Sequence, residues 1–523
     1  MSVELDEVPD RDAINQGALA TDHLMADLGQ RTRRGGAIAI GAQVTRLVIQ
    51  FATLAILARL LLPDDFGVIA MAAAITAFVA MFSELGLAAA TVQRREIDQD
   101  TVSGLFLINL GMGLAVMLAV IALAPVAAWF FDDPRVLNVV IAMALPVPLL
   151  AASRQHAALL QRGMRWTALE ITTILAQAVA ALVAIGIAWQ TDLGYWALVA
   201  QSWTAGLLTF GLLWLACPWR PSRVRDWSQV RSALAFGLHL TGFQFLNYFH
   251  RQFDDLLVGH RWGSIELGFY NRAYMLLLLP THVINGPLGS AVIPALSRMQ
   301  DDPARWRAIY LKALTGVTLI SSFLAAVFAV TAQSLVALTF GPGWEKSGEI
   351  FFFLALSLFV APIMNTVGWI YTSLGNTRRM FLWAMVSTPF LVVGFFVGLP
   401  YGTRGIAIAY AAIIWCLLIP CLLFATHGTP LRVRDMLRVT FPAVLTGLIA
   451  TLISLTLSSY YEGFPHIVRF VIGSALVVTI YGLAAPILFY FSPAKAEYAS
   501  VLDEAANAAK AFWHKLSSLR GLQ

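Results

Sequence analysis

The chain has 523 residues, 59% of them hydrophobic and only 12% charged, with a mean hydropathy of +0.73. Soluble domains run nearer 45–50% apolar and about 25% charged, so an ordinary soluble globule is excluded. The net charge of +5 and pI near 9.1 sit in short basic loops between apolar runs. Membrane orientation explains that pattern better than a nucleic-acid partner.

In chain order, residues 1–35 form a polar tail, acidic at Glu4, Asp6, Glu7, Asp10 and Asp12 and basic over RTRR at 31–34. It reads as a cytoplasmic tail and anchor, with no secretory signal before the first span. Fourteen apolar runs follow, at about 36–62, 66–92, 101–124, 136–161, 167–189, 194–216, 233–259, 268–296, 307–333, 348–373, 380–399, 402–425, 437–459 and 466–491. Each is long enough to cross a hydrocarbon core of about 30 Å, and none alternates as barrel strands do. The expected fold is all-α and polytopic. Six spans make an N-lobe (36–216), a basic linker follows (217–232), six more make a C-lobe (233–425), and two extra helices occupy 437–491. The tail at 493–523 reads as an amphipathic helix with Trp513, Leu516 and Leu519 on one face, lying on the inner leaflet or in solvent.

Loop charge orients the spans. Loops on one side carry Arg94, Arg95, Arg162, Arg165, Arg220, Arg223, Arg225, Arg298, Arg305, Arg307, Arg378, Arg379, Arg432, Arg434 and Arg438. The opposite loops carry Arg135, Arg261, Lys346 and Arg404. Both termini are therefore expected in the cytoplasm. Cys217, Cys416 and Cys421 match no zinc or redox spacing and are expected as buried thiols.

An internal repeat organises the chain. At a single offset of 201, Gly36 meets Gly237, Gly41 meets Gly242, Gln43 meets Gln244, Gly67 meets Gly268 and Ala72 meets Ala273. Spans 1–2 thus match spans 7–8. Six spans separate the copies, so both run the same way through the membrane, which implies two lobes related by an axis along the membrane normal.

The repeat gives meaning to polar residues inside apolar runs. Gln43, Arg46, Gln50 and Thr53 are spaced three, four and three apart and share one helical face. Adding 201 gives Gln244, Asn247, Arg251 and Asp254 on span 7, where His250–Asp254 and Arg251–Asp255 are also i,i+4 pairs. An Arg or Asp at mid-span costs roughly 2.5–3.5 kcal/mol on insertion scales, so such groups ordinarily face a bundle interior or a water-filled cavity. The plainer readings are mutual neutralisation of Arg251 and Asp255 and snorkelling of Arg46. Two stripes in register favour a central aqueous cavity. Arg272 is a cavity residue or an interfacial anchor. Glu84 and Glu170, nearer the ends of their spans, read as interfacial or capping carboxylates. Arg154 and His156 are expected within reach of the cytoplasm, and Pro146 and Pro148 are expected to bend span 4.

Several chemistries lack their residues. No G-x-x-x-x-G-K-[ST] loop is present, no Cys/His cluster has metal-ligand spacing, and no cofactor is implied. Asp64 and Asp65 in LPDDFG invite comparison with polyprenyl-dependent glycosyltransferases, but a loop of a few residues disfavours an enzyme.

The runs LARLLLPDDFGVIAMAAAITAF (57–78), GLAAATVQR (86–94) and FDDLLVGHRWGSIELGFYNRAYMLLLLP (253–280) resemble the bacterial oligosaccharide flippases of the polysaccharide transporter family. These belong to the multidrug/oligosaccharidyl-lipid/polysaccharide exporter superfamily. Asp254, Gly259, Gly268, Tyr270, Arg272, Ala273 and Tyr274 fit its pattern, whereas Asp255 and His260 stand where relatives often have Asn and Arg. The resemblance implies a two-lobed transporter of the bacterial inner membrane that alternates between inward-open and outward-open states. It would flip an undecaprenyl-diphosphate-linked oligosaccharide for exopolysaccharide, O-antigen or capsule synthesis. A polymerase and glycosyltransferases of the same pathway would be its partners beside membrane lipids. On this view Gln43, Arg46, Gln50, Gln244, Asn247, Arg251 and Arg272 receive the substrate, with arginines on the pyrophosphate, and Asp254 and Asp255 hold a coupling ion. The alternative is a multidrug or cation antiporter of the same superfamily, whose cavity should be net acidic.

Overall fold

The structure, a computed structural model, describes residues 11–19, 28–80, 88, 91–92 and 97–520, with the side chains of 228–251, 279–284 and 511–520 among those outside the description. No strand occurs among the described residues, as the all-α reading requires. The chain divides into two compact units, Met1–Gly268 and Phe269–Gln523.

The first unit runs through α1 (Arg11–Leu19), α2 (Leu28–Leu60), α3 (Pro63–Ala80), α4 (Gln99–Phe131), α5 (Arg135–Ala144), α6 (Val147–Arg162), α7 (Trp166–Gln190) and α8 (Trp196–Ala216) into α9 (Ser228–Ser297). The second takes the rest of α9 and then α10 (Pro303–Phe340), α11 (Glu345–Ala355), α12 (Ala361–Ser373), α13 (Thr377–Gly398), α14 (Gly402–Thr426), α15 (Val433–Thr456), α16 (His466–Phe491) and α17 (Lys495–Arg520). Among the described residues, nine helices are long and apolar enough to cross a membrane, ten if α11 and α12, bent by 44°, count as one. The expected fourteen is a count over the whole chain, and much of spans 2 and 7 and part of span 8 lie outside the described residues or side chains. The described part of α3 stops at Ala80, and α13 and α14 register as one 49-residue apolar stretch.

Punctuation in the sequence sets the breaks. Pro146 separates α5 from α6, the interruption expected of span 4. Inside α9, Gly263 adopts φ 79°, a conformation that needs glycine, so spans 7 and 8 meet at a sharp break. Asp98 caps α4 by accepting the Thr101 N–H at 2.8 Å.

The segment expected as a basic linker folds back along the first unit. The Ser222 N–H donates to Ser103 Oγ at 3.0 Å, and the N–H groups of Arg225 and Asp226 both donate to Asp100 Oδ2 at 3.1 Å. Arg220 turns its guanidinium onto the last carbonyls of α8, Trp214 O at 2.9 Å and Cys217 O at 2.8 Å, as a basic residue favours at a helix C-terminus. Its own N–H donates at 2.9 Å to the buried Asn15 of α1. His156 is fully buried, stacked on Trp214 with ring centroids 4.5 Å apart and edge-on to Phe106 and Trp219. Aromatic contact outweighs exposure for this imidazole.

The start of the C-terminal helix, α17, packs within the second unit. Tyr498 is buried, stacks on Phe489 at 4.0 Å and donates its hydroxyl to Val439 O at 2.6 Å, and Glu497 and Glu504 pair with Arg438 and Lys312. The expected face at Trp513, Leu516 and Leu519 lies outside the described side chains. Cys217 and Cys421 are buried thiols, but Cys416 is exposed, on the outer side of a helix apolar all round.

Candidate functional site

The stripe on α2 is real as a face but not uniform in environment. Arg46, with 23% of its side chain exposed, donates through one terminal nitrogen to the Glu170 carboxylate of α7 and through the other to Gln43 Oε1 at 2.7 Å. Gln43 and Gln50 are exposed, while Thr53 is buried and returns its hydroxyl to Ile49 O at 2.7 Å. Helical side chains lean toward the helix N-terminus, so Arg46 reaches back along α2 to a carboxylate one turn into α7. The two helices approach closely below it, because Gly35 leaves room for the Trp166 indole. Glu170, read from sequence as a lone interfacial carboxylate, is thus the counter-ion of Arg46, and only 13% of its side chain is exposed.

The matching stripe on α9 is only partly described. The side chains of Gln244, Asn247 and Arg251 lie outside the described residues. Asp254 and Asp255 are described, and both are buried, at 2% and 7% exposure. They belong to the first unit. Arg272, in the second unit, donates to Asn271 Oδ1 at 2.8 Å. Glu84, Arg94 and Arg95 lie outside the described residues.

The opposite end of the first unit holds a constellation that sequence reading missed. Arg135 forks onto Asp64, Nη1 to Oδ2 at 2.5 Å and Nη2 to Oδ1 at 3.0 Å, and also holds Asp133 Oδ2 at 2.7 Å and Ser264 Oγ at 3.3 Å. The Ser264 hydroxyl donates to the same Asp64 carboxylate. Asp65 accepts the Leu62 N–H and the Tyr195 N–H, each at 2.9 Å, so the acidic pair in LPDDFG ties helix ends together. The single loop arginine among acidic neighbours was the available signal. His260 adds a further tie, its ring stacked on Phe130 and its Nδ1–H donating to Phe130 O at 2.5 Å.

The repeat is visible here in atomic contact. A Cβ on Gly67 would overlap the Ser264 carbonyl, and a Cβ on Gly268 would overlap the Pro63 carbonyl. Pro63 and Ser264 are themselves related by the 201-residue offset, as are Gly67 and Gly268. Each copy therefore presses its glycine on the start of the other copy's helix, the reciprocity of a two-fold contact.

Hydrogen bonding to Arg135 holds the Asp64 carboxyl below the usual carboxylate range. A depressed folded-state value adds stability that is present above the usual carboxylate range and is lost as pH falls through the lower folded value. Arg135→Ala should lower stability by about 1–3 kcal/mol, between the values of exposed and buried pairs, because Asp64 and Asp133 lose their shared cation. Thermal unfolding of the detergent-solubilised variant near neutral pH checks this, and its stability should vary less with acidification than that of the parent.

Long apolar helices in two units, a duplicated helix pair and an ion-paired arginine inside one helix mark a multi-pass membrane protein. The comparisons agree. The family described as "Polysaccharide biosynthesis protein" matches residues 56–349, and the chain belongs to it. It is 24% identical over 339 residues to the succinoglycan biosynthesis transport protein ExoT of Rhizobium meliloti (strain 1021), covering 65% of this chain and 68% of that one. To the lipopolysaccharide biosynthesis protein WzxC of Escherichia coli (strain K12) it is 23% identical over 393 residues, covering 73% and 78%. Its fold is similar to that of the lipid II flippase MurJ in an inward-closed conformation, with a TM-score of 0.66, 12% identity and coverage of 87% and 99%. An inward-facing multidrug resistance MATE family transporter of the MOP superfamily follows, with a TM-score of 0.55, 14% identity and coverage of 75% and 95%.

Proposed function

We propose that this transporter flips an undecaprenyl-diphosphate-linked oligosaccharide across the bacterial inner membrane by alternating access, in the synthesis of exopolysaccharide, O-antigen or capsule. The observation that carries the reading is Arg46, a guanidinium inside a membrane helix with one terminal nitrogen on a carboxylate and the other on the Gln43 amide. A guanidinium that already holds one carboxylate has the planar donor pair that suits the diphosphate of a lipid-linked sugar, while exposed Gln43 and Gln50 suit sugar hydroxyls. Gln244, Asn247, Arg251 and Arg272 complete the proposed substrate set. Both termini face the cytoplasm in this reading, following the arginine bias of the loops. A polymerase and glycosyltransferases of the same pathway then consume and supply the substrate.

Two buried carboxylates, Asp254 and Asp255, favour a second reading, a multidrug or cation antiporter. In the flippase they are the proposed proton or Na⁺ site. Purified protein in vesicles separates the two. The flippase moves a fluorescent undecaprenyl-diphosphate oligosaccharide between leaflets. Efflux of a cationic drug against an ion gradient, with no lipid movement, would replace this proposal by the second.

A further inference from the structure

Glu170 lies on α7, on neither polar stripe, yet it makes the ion pair of Arg46. Both terminal nitrogens of that guanidinium are engaged, one by Glu170 and one by Gln43. A diphosphate that binds Arg46 through both must take the nitrogen that Glu170 now occupies. Two anions then contend for one fork. We propose that Glu170 is the positioning residue of Arg46, holding the guanidinium when the site is empty, yielding it to the substrate diphosphate, and reclaiming it to drive release. This rests on reading Arg46 as a ligand of the diphosphate.

The physical case is one of balance. A guanidinium left unpartnered inside a membrane helix is costly, so the empty transporter needs a resident anion. A neutral partner would hold the fork less strongly, because it keeps a hydrogen bond from the guanidinium but loses the attraction between opposite charges. A resident that holds too weakly leaves Arg46 bound to product, and turnover stalls. Glu170 meets Arg46 through one terminal nitrogen, so one anion on that nitrogen is enough to displace it.

E170Q tests this in the full-length protein, since glutamine keeps the shape and can still accept a hydrogen bond from Arg46. The probe is undecaprenyl diphosphate in detergent, with multiple-turnover flipping of its oligosaccharide derivative in vesicles as the second readout. E170Q should bind the probe about tenfold more tightly, the difference between a charged and a neutral competitor, and flip more slowly. The gain in affinity should vanish in the Arg46→Ala, Glu170→Gln double variant. Binding equal to or weaker than that of the parent, while Arg46→Ala alone loses binding, overturns the role of Glu170. A lowered melting temperature with binding and flipping falling together would show a merely structural pair and overturn it too. Should Arg46→Ala bind as the parent does, the diphosphate reading itself fails, and the inference with it.

Discussion

Gly67→Ala and Gly268→Ala are each expected to destabilise the protein by about 2 kcal/mol or more, the upper range for forcing a methyl into a packed site. In both cases the added Cβ would overlap a backbone carbonyl, of Ser264 and of Pro63. A side chain can rotate away from such a clash, and a carbonyl at a helix start cannot. The strain is compounded because the same two segments are tied by the Asp64–Ser264 hydrogen bond and by Arg135. A small separation that relieves one clash relieves the other, so the double variant should cost less than the sum of the singles. Gly41→Ala is the control, since a Cβ there meets nothing within 4 Å. It should be neutral or stabilising by up to about 1 kcal/mol, the helix propensity difference. Thermal unfolding in detergent reads all four, and a Gly67→Ala protein as stable as the parent would remove the reciprocal contact from the account.

Arg46→Ala should abolish flipping while protein levels hold. A bidentate charge-assisted contact is worth about 2–3 kcal/mol, so affinity for the diphosphate should fall roughly 30-fold to 150-fold. Arg46→Lys keeps the charge without the planar fork and should recover only part of the activity. Arg251→Ala, at the equivalent of Gln50 in the second copy, is expected to behave like Arg46→Ala. Movement of the fluorescent lipid-linked oligosaccharide in vesicles is the measurement. Parent-like flipping by both alanine variants would end the proposal that these arginines receive pyrophosphate.

Much of the fold was legible because its signals are local or periodic. Apolar runs near 20 residues specify membrane helices whatever surrounds them. The three-four-three spacing put Gln43 and Arg46 on one face, and the structure joins them by a hydrogen bond. The offset of 201 picked out Gly67 and Gly268 before any contact between their neighbourhoods was known. Partners distant in sequence were not legible. Glu170 looked interfacial because nothing in α7 announces α2, 124 residues earlier. Arg135 looked like one charge in a sparse loop, although it binds carboxylates 71 and 2 residues away. The tail at Tyr498 looked amphipathic, and an amphipathic face is equally satisfied by a membrane surface or by its own protein.

The sequence by itself therefore determined that this is a multi-pass helical membrane protein with a duplicated helix pair and a polar face inside it. Those properties follow from hydropathy, period and self-similarity, which each helix carries alone. Only the tertiary structure decided which charges meet. It gave Arg46 to Glu170, Asp64 to Arg135 and the start of the C-terminal helix to the second unit. Ion pairing and close packing depend on distances between segments far apart in the chain, and no spacing within one helix encodes them.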